Sequence, residues 1–103
     1  MTRTVRFDSS QPLHGGVVVL GFDSGRLVHD DPIRVEYAGA IVEAKAADGI
    51  IRIAIAGATP FSGGLRIGFY RTDSLPQMPH VRVVSAQLYD LSGREAVGTA
   101  IVE

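Results

Sequence analysis

Asp48-Gly-Ile-Ile-Arg-Ile-Ala-Ile-Ala56 is the stretch of sequence that decides the fold. Its isoleucines at positions 51, 53 and 55 alternate with Arg52 and Ala54, which is the period of a strand with one buried face. The Asp48-Gly49 pair before them is a strong signal for a tight hairpin turn. The stretch therefore predicts a hairpin, with residues 40–47 as its first strand.

The same alternation extends in both directions from this hairpin. Leu65, Ile67 and Phe69 form the inward side of the next predicted strand, with Arg66 and Tyr70 outward. Residues 26–29 fit either a short extended piece or a single helical turn, and the prolines at 76 and 79 exclude a central strand from residues 72–80. The remaining predicted strands are residues 4–8, 16–22, 33–37, 81–89 and 96–102.

These seven to eight short strands, separated by glycine- and proline-containing turns, predict an all-β fold. We expect an antiparallel β-sandwich of jelly-roll type, with residues 1–103 forming a single domain. The near-continuous apolar run at residues 16–22 predicts a central strand that is covered on both faces.

Composition excludes several classes of function. The chain has 103 residues, a net charge of −1 and no cysteine. A near-neutral charge provides no field to attract nucleic acid or an acidic membrane, and without cysteine there is neither a disulfide nor a thiolate metal site. Residues 17–20 form the longest uninterrupted apolar stretch, which is far too short to span a bilayer, and the start of the chain lacks the apolar segment of a signal peptide.

Three pieces of sequence, in this order and spacing, resemble a cohesin domain or the broader group of cohesin-like and carbohydrate-binding jelly rolls. The first is Gly16-Val-Val-Val-Leu-Gly-Phe-Asp-Ser-Gly-Arg-Leu27, which resembles an early strand ending in an aromatic-Asp pair. The second is the hairpin quoted above followed by Ser62-Gly-Gly-Leu-Arg-Ile-Gly-Phe69. The third, Val84-Ser-Ala-Gln-Leu-Tyr-Asp-Leu-Ser-Gly93, resembles a late strand and turn.

This resemblance implies a non-catalytic binding module that docks a dockerin-type protein in bacterial polysaccharide-degrading assemblies (cellulosomes) or on the cell surface. It implies an extracellular or cell-surface location within a larger protein. The complex is expected to depend on calcium, because the dockerin partners of this family fold around calcium. The family has no invariant recognition motif, so the resemblance assigns no contact residue.

The chain also departs from the family pattern. The family's first strand has no counterpart here, and Ser24 stands where the family usually has proline. A missing strand leaves a sheet edge unpaired, and such edges invite pairing with another chain. We therefore expect either a homodimer or a strand supplied by a neighbouring segment.

Arginines at outward positions of the predicted strands suggest where a partner docks. If they share a sheet, their guanidinium groups suit the carboxylates of an acidic partner. The predicted docking face comprises Arg34, Arg52, Arg66, Tyr70 and Arg82. The alternative is a solvated face on which acidic neighbours such as Glu36 pair with the arginines.

Two other functions are compatible with the sequence. A carbohydrate-binding module would need exposed aromatic platforms, and the chain offers no tryptophan and only Tyr37, Tyr70 and Tyr89, which favours at most a soluble glycan. A purely structural or oligomerising domain would form a stable homodimer without another ligand.

No motif predicts catalysis, a cofactor or a metal. His14, His29 and His80 lack the spacing of a zinc site, and the acidic run His29-Asp30-Asp31 lacks the further oxygen ligands of a calcium loop. Glu36 and Glu43 could face solvent together, but nothing nearby would activate them. The serines lie in turn-like contexts and the Gly63-Gly64 pair lacks the rest of a phosphate-binding motif, so we predict a domain that is not an enzyme.

Overall fold

The computed structural model of the protein describes residues 2–29, 35–36, 40–61, 64–72 and 79–103. The described residues form ten strands and no helix. The strands are β1 (Thr2–Asp8), β2 (Gly15–Phe22), β3 (Leu27–His29), β4 (Val35–Glu36), β5 (Ile41–Ala47), β6 (Ile50–Ala56), β7 (Gly64–Arg71), β8 (Val81–Tyr89), β9 (Glu95–Ala96) and β10 (Thr99–Val102).

The strands form two five-stranded sheets, and every described pairing is antiparallel. Sheet 1 has the order β10-β1-β7-β3, with β4 also paired to β7. Sheet 2 has the order β5-β6-β2-β8-β9. The predicted all-β sandwich is therefore confirmed.

The core lies between the two sheets and is built by strand alternation. On β6, the isoleucines at 51, 53 and 55 are buried while Arg52 and Ala54 are exposed, as predicted. Each fully buried aliphatic or aromatic side chain contributes roughly 1.5–3 kcal/mol. The core consists of Val5, Val18, Leu20, Phe22, Leu27, Ile51, Ile53, Ile55, Leu65, Ile67 and Phe69.

A second, smaller apolar cluster closes one end of the sandwich. It consists of Leu13, Leu88 and Ala96, with Phe7 and Phe61 packed against it. The two phenylalanine rings lie 5.6 Å apart between centroids. This cluster fixes the segment before β2 and the turn after β8, which border the candidate site described below.

The hairpin between β5 and β6 turns at Asp48-Gly49, as the sequence predicts. Both residues have positive φ, 53° at Asp48 and 77° at Gly49. Two successive positive φ angles are typical of the tight turn whose twist matches that of the flanking strands. The carbonyl of Gly49 also accepts a hydrogen bond from the backbone N–H of Phe22 at 2.9 Å, which ties the turn to β2.

Several sequence predictions need correction. β2 lies at the centre of sheet 2, but Val17 and Val19 on its outer side are only half-buried, so the strand is not covered on both faces. The strand predicted at residues 96–102 is two strands, β9 and β10, that belong to different sheets. Of the two alternatives for residues 26–29, the short extended piece is confirmed for Leu27–His29, which pairs with β7, while Arg26 lies in the preceding turn. Of the strand predicted at 33–37, only Val35–Glu36 lies within the described residues.

The sequence predicts an unpaired sheet edge without assigning it to a strand, and β1 is not such an edge. This strand is flanked by β7 on one side and by the C-terminal strand β10 on the other. Within the described residues, the edge of sheet 1 beside β1 is therefore formed by β10.

Candidate docking face

The outer side of sheet 2 is a broad exposed surface, which we call the outer face of sheet 2. The strand registers place its residues in four rows that run across the sheet. The rows are Ile41–Ala56–Gly15–Tyr89–Glu95, Glu43–Ala54–Val17–Gln87, Lys45–Arg52–Val19–Ser85 and Ala47–Ile50–Gly21–Arg82.

Small side chains occupy much of this face on β6 and β2. Ala54 and Ala56 lie beside Val17 and Gly15 on the neighbouring strand. None of these residues carries a long side chain that would interrupt the surface. A broad exposed face of this width presents area for contact with another macromolecule.

One end of the face is apolar. Ile41 is 77% exposed and Leu91 is 72% exposed. Together with Gly15, Ala56 and Tyr89 they line a shallow depression of about 540 Å³. Large exposed apolar side chains that border the same depression are typical of a protein contact surface, whereas scattered single ones are ordinary.

The turn after β8 holds Leu91 in this position. The carboxylate of Asp90 accepts hydrogen bonds from the Ser92 hydroxyl at 2.7 Å and from the backbone N–H groups of Ser92 and Arg94, each at 3.0 Å. These bonds lower the pKa of Asp90 below its usual value of 3.8, because they favour the ionised carboxylate. The hydrogen bond from the Ser92 hydroxyl makes the largest contribution.

The other end of the face is basic. Lys45 and Arg52 are paired across β5 and β6, and Arg82 lies in the adjacent row on β8. All three side chains are exposed. The face therefore changes in chemistry along the strands, from apolar at Ile41 to cationic at Arg82.

The structure distributes the predicted docking residues over two faces. Arg52 and Arg82 belong to the outer face of sheet 2. Arg66 and Tyr70 lie on β7 in sheet 1, where they alternate with buried residues and so point to the opposite side of the sandwich. Arg34 lies outside the described residues.

The candidate metal ligands do not converge. His14 Nδ1 donates a hydrogen bond to the carbonyl of Gly57 at 3.2 Å, and the ring of His29 packs edge-on against Phe22. His80 is exposed. Among the described residues, no group of three or more His, Cys, Asp or Glu side chains could hold a metal ion. Asp30 and Asp31 of the predicted acidic run, and Gly63 of the glycine pair, lie outside them.

The carboxylates considered for hydrolysis gain no support from the surroundings that the structure describes. Glu43 is exposed on β5, and the side chain of Glu36 is not among those described. In the part of the chain that is described, no helix is long and apolar enough to cross a membrane.

Sequence reasoning missed the apolar end of the candidate face. Ile41 reads as one apolar residue of an alternating strand, and Leu91 as part of a turn. The alternation within one strand does not show which residues of other strands lie in the same row. It therefore does not reveal that Ile41 lies in the row of Tyr89, close to the turn that carries Leu91. A large apolar residue inside an Asp-Leu-Ser-Gly turn is the signal that could have pointed to Leu91.

No family model matches the sequence, and no curated protein matches it. Among solved structures, the chain is similar to a cohesin module from a Clostridium perfringens ATCC13124 family 33 glycoside hydrolase. The TM-score is 0.72 at 10% sequence identity, and the match covers 91% of this chain and 72% of the cohesin chain. The resemblance inferred from the sequence is thus confirmed at the level of architecture: this chain has the β-sandwich fold of a cohesin module.

Proposed function

We propose that this domain is a non-catalytic protein-docking module that binds a dockerin-type partner through the outer face of sheet 2. The observation that carries the proposal is this broad exposed face, with apolar side chains exposed at Ile41 and Leu91 beside a shallow depression. The fold supports it, because the similar solved structure is a cohesin module.

The proposed complex depends on calcium through the partner. The dockerin partners of cohesins fold around calcium, whereas the described residues of this chain hold no cluster suited to a metal ion. The domain would then act within a larger extracellular or cell-surface protein of a polysaccharide-degrading assembly. The origin of the similar cohesin module in a glycoside hydrolase agrees with that setting.

Two competing functions make different use of the surface. A glycan-binding module would use an exposed aromatic ring, for which Tyr70 on sheet 1 is the best placed among the described tyrosines because it is 53% exposed. A self-associating domain would use a sheet edge such as β10, which carries Ile101 with 42% of its surface exposed.

Capture of partners by two surface variants tests the proposal. Ala54→Arg places a long cation at the centre of the outer face of sheet 2, and Tyr70→Arg places the same residue on the opposite side of the sandwich. Both original residues are exposed, so both variants should remain folded, which circular dichroism checks. The immobilised wild type and both variants are incubated with the secreted and soluble proteins of the host, first with calcium and then with chelator.

We expect the wild type and Tyr70→Arg to retain a dockerin-containing protein in calcium and to release it in chelator, while Ala54→Arg retains none. Loss of the partner with Tyr70→Arg alone would contradict the choice of face. Self-association without any partner, or binding of a soluble glycan alone, would contradict protein docking.

A further inference from the structure

At the cationic end of the outer face of sheet 2, one charged side chain lies close against the backbone of a glycine. On the row that joins β2 to β8, Gly21 lies directly opposite Arg82. A Cβ atom added at Gly21 would lie 2.9 Å from Cζ and 3.0 and 3.1 Å from the two terminal nitrogens of Arg82. These nearly equal distances mean that the guanidinium group lies flat over the backbone of Gly21.

Two further cations extend this end of the face. Lys45 and Arg52 are direct neighbours across β5 and β6, one row away from Arg82. The described ion pair joins Arg6 to Glu103 on sheet 1, and within the described residues no ion pair engages Lys45, Arg52 or Arg82. Two carboxylates lie nearby: Glu43, in the next row, lines one depression together with Lys45 and Arg52, and the exposed Asp48 directly follows Ala47 in the hairpin turn.

The distance between the two ends sets the size of the complementary segment. Ala56 and Ile50 lie in the first and last rows on β6, six residues apart, which corresponds to about 20 Å along a strand. A partner helix needs about 13 residues to span the same length. The apolar end, with Ile41, Tyr89 and Leu91, can therefore be covered at the same time as the cationic end.

We infer that the partner is a protein segment of polarised chemistry, with carboxylates over Lys45, Arg52 and Arg82 and apolar side chains over Ile41 and Leu91. This inference rests on the proposed docking function. It adds the chemistry of the partner segment and states which end of that segment lies over which end of the face. Arg82 is placed to contribute, because its guanidinium group lies against the sheet at Gly21 and no ion pair engages it within the described residues.

A selection experiment tests this chemistry and does not require the natural partner to be identified. The probe is a displayed library of small helical proteins that are randomised on one helix face and selected on the wild-type domain. We expect the enriched sequences to carry Asp or Glu at one end of the randomised face and apolar residues at the other. Their affinity should fall as salt is raised, because exposed charge pairs are screened.

Matched variants assign the effect to Arg82. Arg82→Ala should weaken the selected binders about tenfold or more, since a hydrogen bond to a charged group is lost. Gly21→Ala keeps the net charge but displaces the guanidinium group, so it should weaken them in the same direction. Arg6→Ala removes one cation from sheet 1 and should leave the affinity unchanged.

The outcomes separate this inference from the proposed function. One outcome is that Ala54→Arg blocks the selected binders, but the binders are not acidic and Arg82→Ala does not weaken them. This outcome would overturn the inference and leave docking through this face intact. Binders that are insensitive to Ala54→Arg would contradict both the inference and the choice of face.

Discussion

Two features of the turn between β5 and β6 require glycine at position 49: its backbone conformation and the close approach of a neighbouring carbonyl. Its φ is 77°, a conformation in which side chains are strained, and a Cβ atom there would lie 3.0 Å from the carbonyl oxygen of Phe22. Asp48 also has positive φ, but aspartate tolerates that region better than most residues. The turn therefore requires glycine at position 49 more strictly than aspartate at position 48.

We predict that Gly49→Ala lowers the free energy of unfolding by about 1–2 kcal/mol, which is the usual cost of a left-handed conformation for a residue with a side chain. Asp48→Gly is the matched control and should change it by about 0.5 kcal/mol or less. Denaturant unfolding measures both. Equal effects of the two substitutions would argue against the described turn.

The carboxyl group of Asp90 titrates, and its hydrogen bonds form the turn that positions Leu91. Hydrogen bonds from the Ser92 hydroxyl and from two backbone N–H groups lower the pKa of Asp90 in the folded protein. A lowered folded pKa means that the ionised carboxylate stabilises the fold above the pKa of the unfolded chain. This stabilisation is lost as the pH falls through the lower, folded pKa.

We predict that Asp90→Asn is less stable than wild type at neutral pH, and that the difference shrinks as the pH falls below about 3.8. Ser92→Ala should raise the pKa of Asp90 toward its usual value, because the Ser92 hydroxyl makes the largest contribution to the shift. A carbon-13 NMR titration of the carboxyl group measures this pKa. A wild-type pKa at or above 3.8 would contradict the hydrogen-bonded turn.

Among the elements, β2 joins the core to the candidate docking face. Leu20 points inward and is fully buried, whereas Val19 beside it points outward and is half-buried in the row of Lys45 and Arg52. The continuous apolar sequence of this strand conceals the difference between its two sides. A half-buried outer side with valines is what a surface that meets a partner would present.

We predict that Leu20→Ala lowers the free energy of unfolding by about 2–5 kcal/mol, because it leaves a cavity in the core. Val19→Ala should cost about 1 kcal/mol or less, because much of the removed surface was already in contact with water. Thermal and denaturant unfolding of both variants checks the assignment. Similar large losses for both would mean that β2 is covered on both sides.

A bulge in β8 determines which residues of that strand reach the candidate face. The register shifts between Val19 and Leu20, so that Val84 is an extra residue and both Val84 and Ser85 are exposed. Arg82 and Tyr89 are seven positions apart, and strict alternation would place them on opposite sides. The bulge reverses the alternation and brings both to the outer face.

The sequence predicts the strands well where the pattern is local. The alternation of residues 50–56 and the Asp48-Gly49 turn are reproduced by the structure residue for residue. The bulge at Val84 is not predictable in this way, because it arises from pairing with β2, which lies about 60 residues earlier in the chain. The same holds for residues 96–102, whose division between two sheets depends on β8 and β1 as partners.

For the whole molecule, the order of strands in the sheets decides which side chains share a face. The sequence correctly places Arg52, Arg66, Tyr70 and Arg82 at outward positions, but it cannot assign β7 to a different sheet from β6 and β8. Outward residues of the two sheets point away from each other in a sandwich. Among the members of the predicted set that the structure describes, this separation leaves Arg52 and Arg82 on the same face as Lys45.

The most direct test of the docking account is a methyl NMR footprint of the domain bound to its partner or to a selected helical binder. Ile41 and Ile50 lie on the outer face of sheet 2, and Ile101 is an exposed isoleucine on the outer side of sheet 1. We predict that the methyl signals of Ile41 and Ile50 shift on binding while that of Ile101 does not. A shift of the Ile101 signal with Ile41 and Ile50 unchanged would contradict the account.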